Sequence, residues 1–142
     1  MSVDSRTLGW LSRALTHEMC AVQQYLAQSV LARLWGDEAL SKQLRREAVE
    51  ELVHAERLME RLILLGVAPS AGNLPPARLG KNADELLSAD HTLEVDAVRL
   101  YQEALAHAKR MRDTGSASSP RISSSKEALS VSRMRFACAS AS

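Results

Sequence analysis

Apolar residues recur at three- and four-residue spacing over three long stretches, which predicts three amphipathic helices. Leu11, Leu15, Val22 and Tyr25 line the first. Leu40, Leu44, Ala48, Ala55, Leu58 and Leu62 line the second, and Leu87, Val98, Tyr101 and Leu105 the third. The first helix is expected over residues 4–35, capped by Asp4 or Ser5 and stopped at Gly36. Asp37 then opens a second helix over 37–65, stopped at Gly66. One or two residues between the two demand an antiparallel hairpin. Residues 67–81 carry Pro69, Pro75 and Pro76, so they predict an extended crossover rather than a helix. Asn82 and Glu85 have capping-box spacing at the start of a third helix over 82–113, which ends by Gly115.

Each stripe is broken by a glutamate. At about 100° per residue, Glu18, Glu51 and Glu94 fall within roughly 40° of the centres of their stripes, so all three are expected to face the core. A buried carboxylate without a partner costs several kcal/mol or takes up a proton. A single inward glutamate is ordinarily a protonated or hydrogen-bonded misfit. Three on three consecutive helices are most simply satisfied by one shared cation.

His54 sharpens that reading. Glu51-x-x-His54 puts carboxylate and imidazole on one side of a helix, a donor pair that suits Fe(II), Mn(II) or Zn(II) better than calcium. Such spacing is common by chance, and its weight comes from Glu18 and Glu94. Tyr25 lies two turns beyond Glu18 on the same face, where its hydroxyl can bond a ligating carboxylate or the ring can simply pack. His17, His91 and His107 have no carboxylate frame of this kind and are expected at the surface or beside the core. Trp10 and Trp35, at opposite ends of the first helix, read as packing residues, with a subunit contact as the alternative.

The bulk composition agrees with a helical domain. The chain has 142 residues with 46% hydrophobic, 25% charged and 4% aromatic side chains. It has no apolar run long enough to span a bilayer and no export signal, and its two cysteines do not form a disulfide framework, so a cytoplasmic setting is expected. Residues 1–115 carry 14 basic and 16 acidic side chains, a net −2, without the clustered basic face of a nucleic-acid binder. Residues 116–142 shift to +3 and hold ten serines, one leucine and no histidine. The expected organisation is a helical domain over 1–115 and a divergent Ser-rich segment over 116–142, with at most a short or degenerate fourth helix.

The stretches RALTHEMCAVQQYLAQS, RLWGDEALSKQLRREAVEELVHAERLMERLILLGVAP and DELLSADHTLEVDAVRLYQEALAHA resemble the bacterioferritin family. The resemblance implies an all-α, ferritin-like four-helix bundle with one long crossover. It implies oxidation of Fe(II) by O₂ or H₂O₂ at an intrasubunit di-iron site, and storage of Fe(III) mineral in a homo-oligomeric shell of 24 subunits built from dimers. By position it makes Glu18, Glu51, His54 and Glu94 the iron ligands, with Glu127 a further candidate and Tyr25 the neighbouring tyrosine.

Two departures stand out. Haem b-binding members have a methionine directly after the glutamate of Glu-x-x-His, and this chain has Leu52, so stoichiometric haem is not expected. The family's fourth helix brings a second Glu-x-x-His, where this chain reads Glu127-Ala-Leu-Ser130. The tail reads either as a naturally divergent terminus or as the product of a shifted reading frame. Three functions remain open: an iron-storage ferroxidase, impaired to the extent that the fourth-helix ligands are missing; a catalytically incomplete structural subunit that co-assembles with an active partner; and a di-metal oxidase or peroxidase without a shell.

Overall fold

The computed structural model describes residues 4–113, which form three α-helices and, among these residues, no strand: α1 is Ser5–Leu34, α2 is Glu38–Leu64 and α3 is Ala83–Asp113. The expected helices are recovered with ends that differ by one residue or so. The expectations for residues 114–142, including the fourth helix and Glu127, lie outside the described residues. The chain divides into two compact units, Met1–Leu93 and Glu94–Ser142, and α3 begins in the first and continues into the second.

Local chemistry explains the ends. The Asp4 carboxylate accepts the Thr7 amide at the start of α1, and the Asp37 carboxylate accepts the Leu40 amide at the start of α2. Both α1 and α2 close with the same motif. Gly36 (φ 84°) donates to Arg33 and Asp37 to Ala32, while Gly66 (φ 78°) donates to Ile63 and Val67 to Leu62. At α3, Asn82 Oδ1 accepts the Glu85 amide at 2.9 Å as the capping box requires. The Glu85 carboxylate departs from that motif by taking the Lys81 amide, at 2.8 Å. Gly80 (φ 78°) makes this tight entry possible, since a Cβ there would stand 2.8 Å from the Leu86 nitrogen.

Within the first unit, α1 and α2 are antiparallel. Leu11 and Leu15, early in α1, cluster with Ala55 and Leu62, late in α2. Ala21, Tyr25 and Ala32 cluster with Leu44 and Ala48, early in α2, and with Leu86 at the start of α3. Leu15 and Leu62 have no exposed surface, and burying such a side chain contributes about 1.5–3 kcal/mol. Residues 67–80 form no regular structure, as the prolines require. They run parallel to α1: Thr16 donates to the Ala71 carbonyl, Gln23 to Pro75 at 3.0 Å and Gln28 to Arg78 at 2.9 Å.

Two side chains, Leu87 and His107, are placed otherwise than the pattern suggests. Leu87 is exposed, because α3 turns Leu86, Asp90 and Leu93 inward in the first unit instead. His107 is buried, three residues after buried Ala104, although it was expected at the surface or beside the core. Trp35 stands 41% exposed at the end of α1, while Trp10 is half-buried with the Arg13 guanidinium 3.9 Å from its ring centroid.

Candidate metal centre

The leucine and alanine stripes that join α1 to α2 carry Glu18 and Glu51 inward with them. Glu18 is 3% and Glu51 5% exposed, and His54 is half-buried beside them. One turn separates Glu51 from His54, so their side chains meet: His54 Nδ1 lies 3.2 Å from a Glu51 carboxylate oxygen. The Glu18 carboxylate reaches the same nitrogen from α1, at 3.8 Å. One donor atom from each of the three lies within 4.8 Å of the others. On both helices this trio separates the two apolar clusters, falling between Leu15 and Ala21 on α1 and between Ala48 and Ala55 on α2.

Two like charges in an apolar wall shift the titration of the site. Burial is the largest influence on Glu51, and Glu18 adds to it, while His54 opposes both; the carboxyl is pushed up to about 7. The hydrogen bonds to Glu18 and Glu51 raise His54 to about 10 against the pull of desolvation. At neutral pH the imidazolium serves as the internal counter-ion of the carboxylates. A divalent cation can replace it, since two donors each about 2.1 Å from one metal stand at most about 4.2 Å apart. The distances of 3.2 and 3.8 Å from His54 fall inside that limit. Two carboxylates and one imidazole are the donor set of a borderline first-row cation such as Fe(II), Mn(II) or Zn(II).

Of the residues singled out in the sequence, Glu18, Glu51 and His54 are thus brought together. Tyr25 is buried, 1% exposed, among Ala21, Leu44, Ala48 and Leu86. Glu94 is part-buried and belongs to the second unit. Leu52 follows Glu51 on the outer side of α2, where Val49, Leu52 and Val53 are 54%, 42% and 42% exposed. It has no sulfur or nitrogen to offer haem iron, so the family's haem site does not fit this helix face.

The pattern reading missed a buried polar group between α1 and α3. Gln24 donates to the Asp90 carboxylate at 2.8 Å, both residues being 6% exposed. It also missed Ser29 and Ser41, which are buried between α1 and α2. The only cue was the i, i+4 pairing of Asp90 with Leu86 on one face of α3.

Residues 9–119 match the ferritin-like domain family, which defines the class. Similar proteins include the bacterioferritin of Rhodobacter capsulatus, 33% identical over 113 residues, or 80% of this chain and 70% of that one. The bacterioferritin of Brucella melitensis biotype 1 is 36% identical over 104 residues, 73% of this chain and 65% of that one. That of Mycobacterium bovis is 30% identical over 117 residues, 82% and 74% respectively. The chain belongs to the bacterioferritin family.

Proposed function

We propose that this protein is an iron-storage and detoxification subunit that oxidises Fe(II) and holds the product as ferric mineral in an oligomeric shell. One observation carries the reading: two carboxylates and an imidazole converge in the core of the first unit, at a place where an apolar core has no other use for them. Fe(II) is the substrate. Glu18, Glu51 and His54 bind it, and Glu94 and Glu127 are assigned to the same centre through the family resemblance.

The chain's part in the chemistry is electrostatic and geometric. His54 must give up its proton and Glu51 must be ionised before iron can enter, so uptake of the cation releases protons. Bound carboxylates favour Fe(III) over Fe(II) and so favour electron loss. Two Fe(II) supply two electrons, which with two protons reduce O₂ to H₂O₂, or reduce H₂O₂ to two waters. Tyr25 is assigned the role of neighbouring hydroxyl, within two turns of Glu18. Resident haem b forms no part of this proposal, because Leu52 cannot ligate it.

Residues 127–130 read Glu-Ala-Leu-Ser, where the family pattern ends in histidine, and this favours a second reading. In that reading the subunit is catalytically incomplete, builds shells with an active partner and binds one iron or none. A single experiment separates the two. Anaerobic Fe(II) titration followed by stopped-flow oxidation should show two irons per subunit oxidised in a fast phase if the centre is complete. One tight iron or none, with slow turnover, supports the structural subunit and rejects the complete ferroxidase. Size exclusion should show an assembly far larger than the 15.6 kDa chain. An active species of monomer or dimer size would favour a di-metal oxidase without a shell.

A further inference from the structure

The two carboxylates of the metal centre arrive on different helices, so the site exists only while α1 and α2 keep one register and one rotation about their axes. Two buried serines are placed to hold both. Ser29 Oγ donates to the Ser41 carbonyl at 2.9 Å, and Ser41 Oγ donates to the Ser29 carbonyl at 2.8 Å. With both protons committed to carbonyls, the two oxygens rest 3.3 Å apart. The side chains are 6% and 9% exposed, so the square is shielded from water. It forms where α1 and α2 approach closely, beside Ala32, which has no exposed surface.

The sequence distances from this square to the metal centre match. Ser29 is eleven residues after Glu18, about 16.5 Å along α1 at 1.5 Å per residue. Ser41 is ten residues before Glu51, about 15 Å along α2 in the antiparallel direction. Pinning Ser29 against Ser41 therefore sets Glu18 level with Glu51 to within about one residue's rise. A slip of one turn, about 5.4 Å, would carry Glu18 beyond reach of His54. Leucine contacts resist such motion less sharply, because apolar contact is non-directional, whereas the reciprocal bonds have one donor and one acceptor on each helix.

We infer that Ser29 and Ser41 are positioning residues for the Glu18–Glu51–His54 site, acting as a reciprocal hydrogen-bonded clamp between α1 and α2. This rests on the metal-centre reading above. The carbonyls that the hydroxyls bond remain acceptors within their own helices, so removing the hydroxyls loosens the alignment without stranding a buried backbone group.

The test compares full-length wild type with Ser29→Ala, Ser41→Ala and the double variant, by Co(II) titration of the visible absorption bands and by circular dichroism. The double variant should remain helical yet bind Co(II) about tenfold more weakly, the lower end of the loss seen when residues supporting a ligand are removed. Its band pattern should change, and each single variant, retaining one bond, should fall between. An unchanged Co(II) isotherm and spectrum in a double variant that is merely less heat-stable would overturn the inference, leaving the turn at Gly36 as sufficient to set register. A second readout needs no metal. Nitroxide labels at exposed Arg13 on α1 and Glu60 on α2, in a background with both cysteines changed to serine, should give a broader or shifted distance distribution in the double variant. If wild type binds no Co(II), the metal-centre reading fails, and the label distances judge the clamp alone. Unchanged distances overturn it.

Discussion

The two ends of the α1–α2 hairpin are built differently, with the candidate metal centre between them. The end far from the turn is a cluster of Leu11, Leu15, Ala55 and Leu62, with Leu58 and Met59 packed against it. The end near the turn combines alanines and Tyr25 with buried polar residues: Gln24 bonded to Asp90, Gln28 to the Arg78 carbonyl, and Ser29 to Ser41. Leucines bury area cheaply and tolerate small shifts. Directional bonds contribute about 1 kcal/mol each but accept only one alignment. The far end therefore supplies bulk stability, while the near end supplies the alignment that a site shared between two helices requires.

Truncation at the far end should have the largest effect on folding. Leu15→Ala or Leu62→Ala is expected to cost about 2–5 kcal/mol, read as a lowered urea midpoint, because each empties a fully buried position. A loss below about 1 kcal/mol would show that the far end is not the stabilising half.

Glu51→Ala and His54→Ala test the boundary between the halves. Fast Fe(II) oxidation should drop by about 100-fold or more, at the upper end of what even indirect ligand losses cost. Helicity should persist in both. Glu51→Ala should hold or slightly raise the stability of the iron-free protein, because it removes a carboxylate whose ionised form is penalised by burial. An unchanged initial rate in stopped-flow absorbance would place the oxidation site elsewhere.

Acidity acts directly on the trio, through Glu51 and His54. Glu51 is raised from 4.5 to about 7, so its proton is held more tightly in the folded state, and the stabilisation this gives is lost as pH rises through about 7. His54, raised from 6.5 to about 10, contributes fully below 6.5 and loses that contribution up to about 10. Both signs agree: in metal-free protein the share of stability due to Glu51 and His54 falls as pH rises from about 4.5 to 10. Metal binding runs the other way, tightening with pH as the protons leave. Melting scans with chelator, beside Co(II) titrations at several pH values, should show these opposite slopes. Parallel slopes would contradict the raised titrations of Glu51 and His54.

The smallest expected change is at the outer face of α2. Leu52→Met should increase haem binding, read as Soret absorbance per subunit, while leaving Fe(II) oxidation within about twofold, since position 52 faces away from the core. Stoichiometric haem with thioether ligation in the unaltered chain would mean that another residue supplies the sulfur.

The helices, their caps and the inward direction of Glu18 and Glu51 were legible in the amino-acid sequence. Each depends on interactions within a turn or two: the 3.6-residue period, Asp4 and Asp37 as caps, Gly36 and Gly66 as left-handed stops. The Glu51–His54 pair was legible for the same reason, being a contact within one turn. Which of two adjacent leucines α3 turns inward, that His107 is buried, and how Gln24 finds Asp90 across 66 positions had no such signature. Only the tertiary structure decided them, because a buried donor and acceptor become partners through the relative depth and rotation of two helices, which no local periodicity encodes. The trio stands between the two cases. The sequence determined that Glu18 and Glu51 face a core with His54 beside Glu51, and helix packing brought Glu18 to within 3.8 Å of His54.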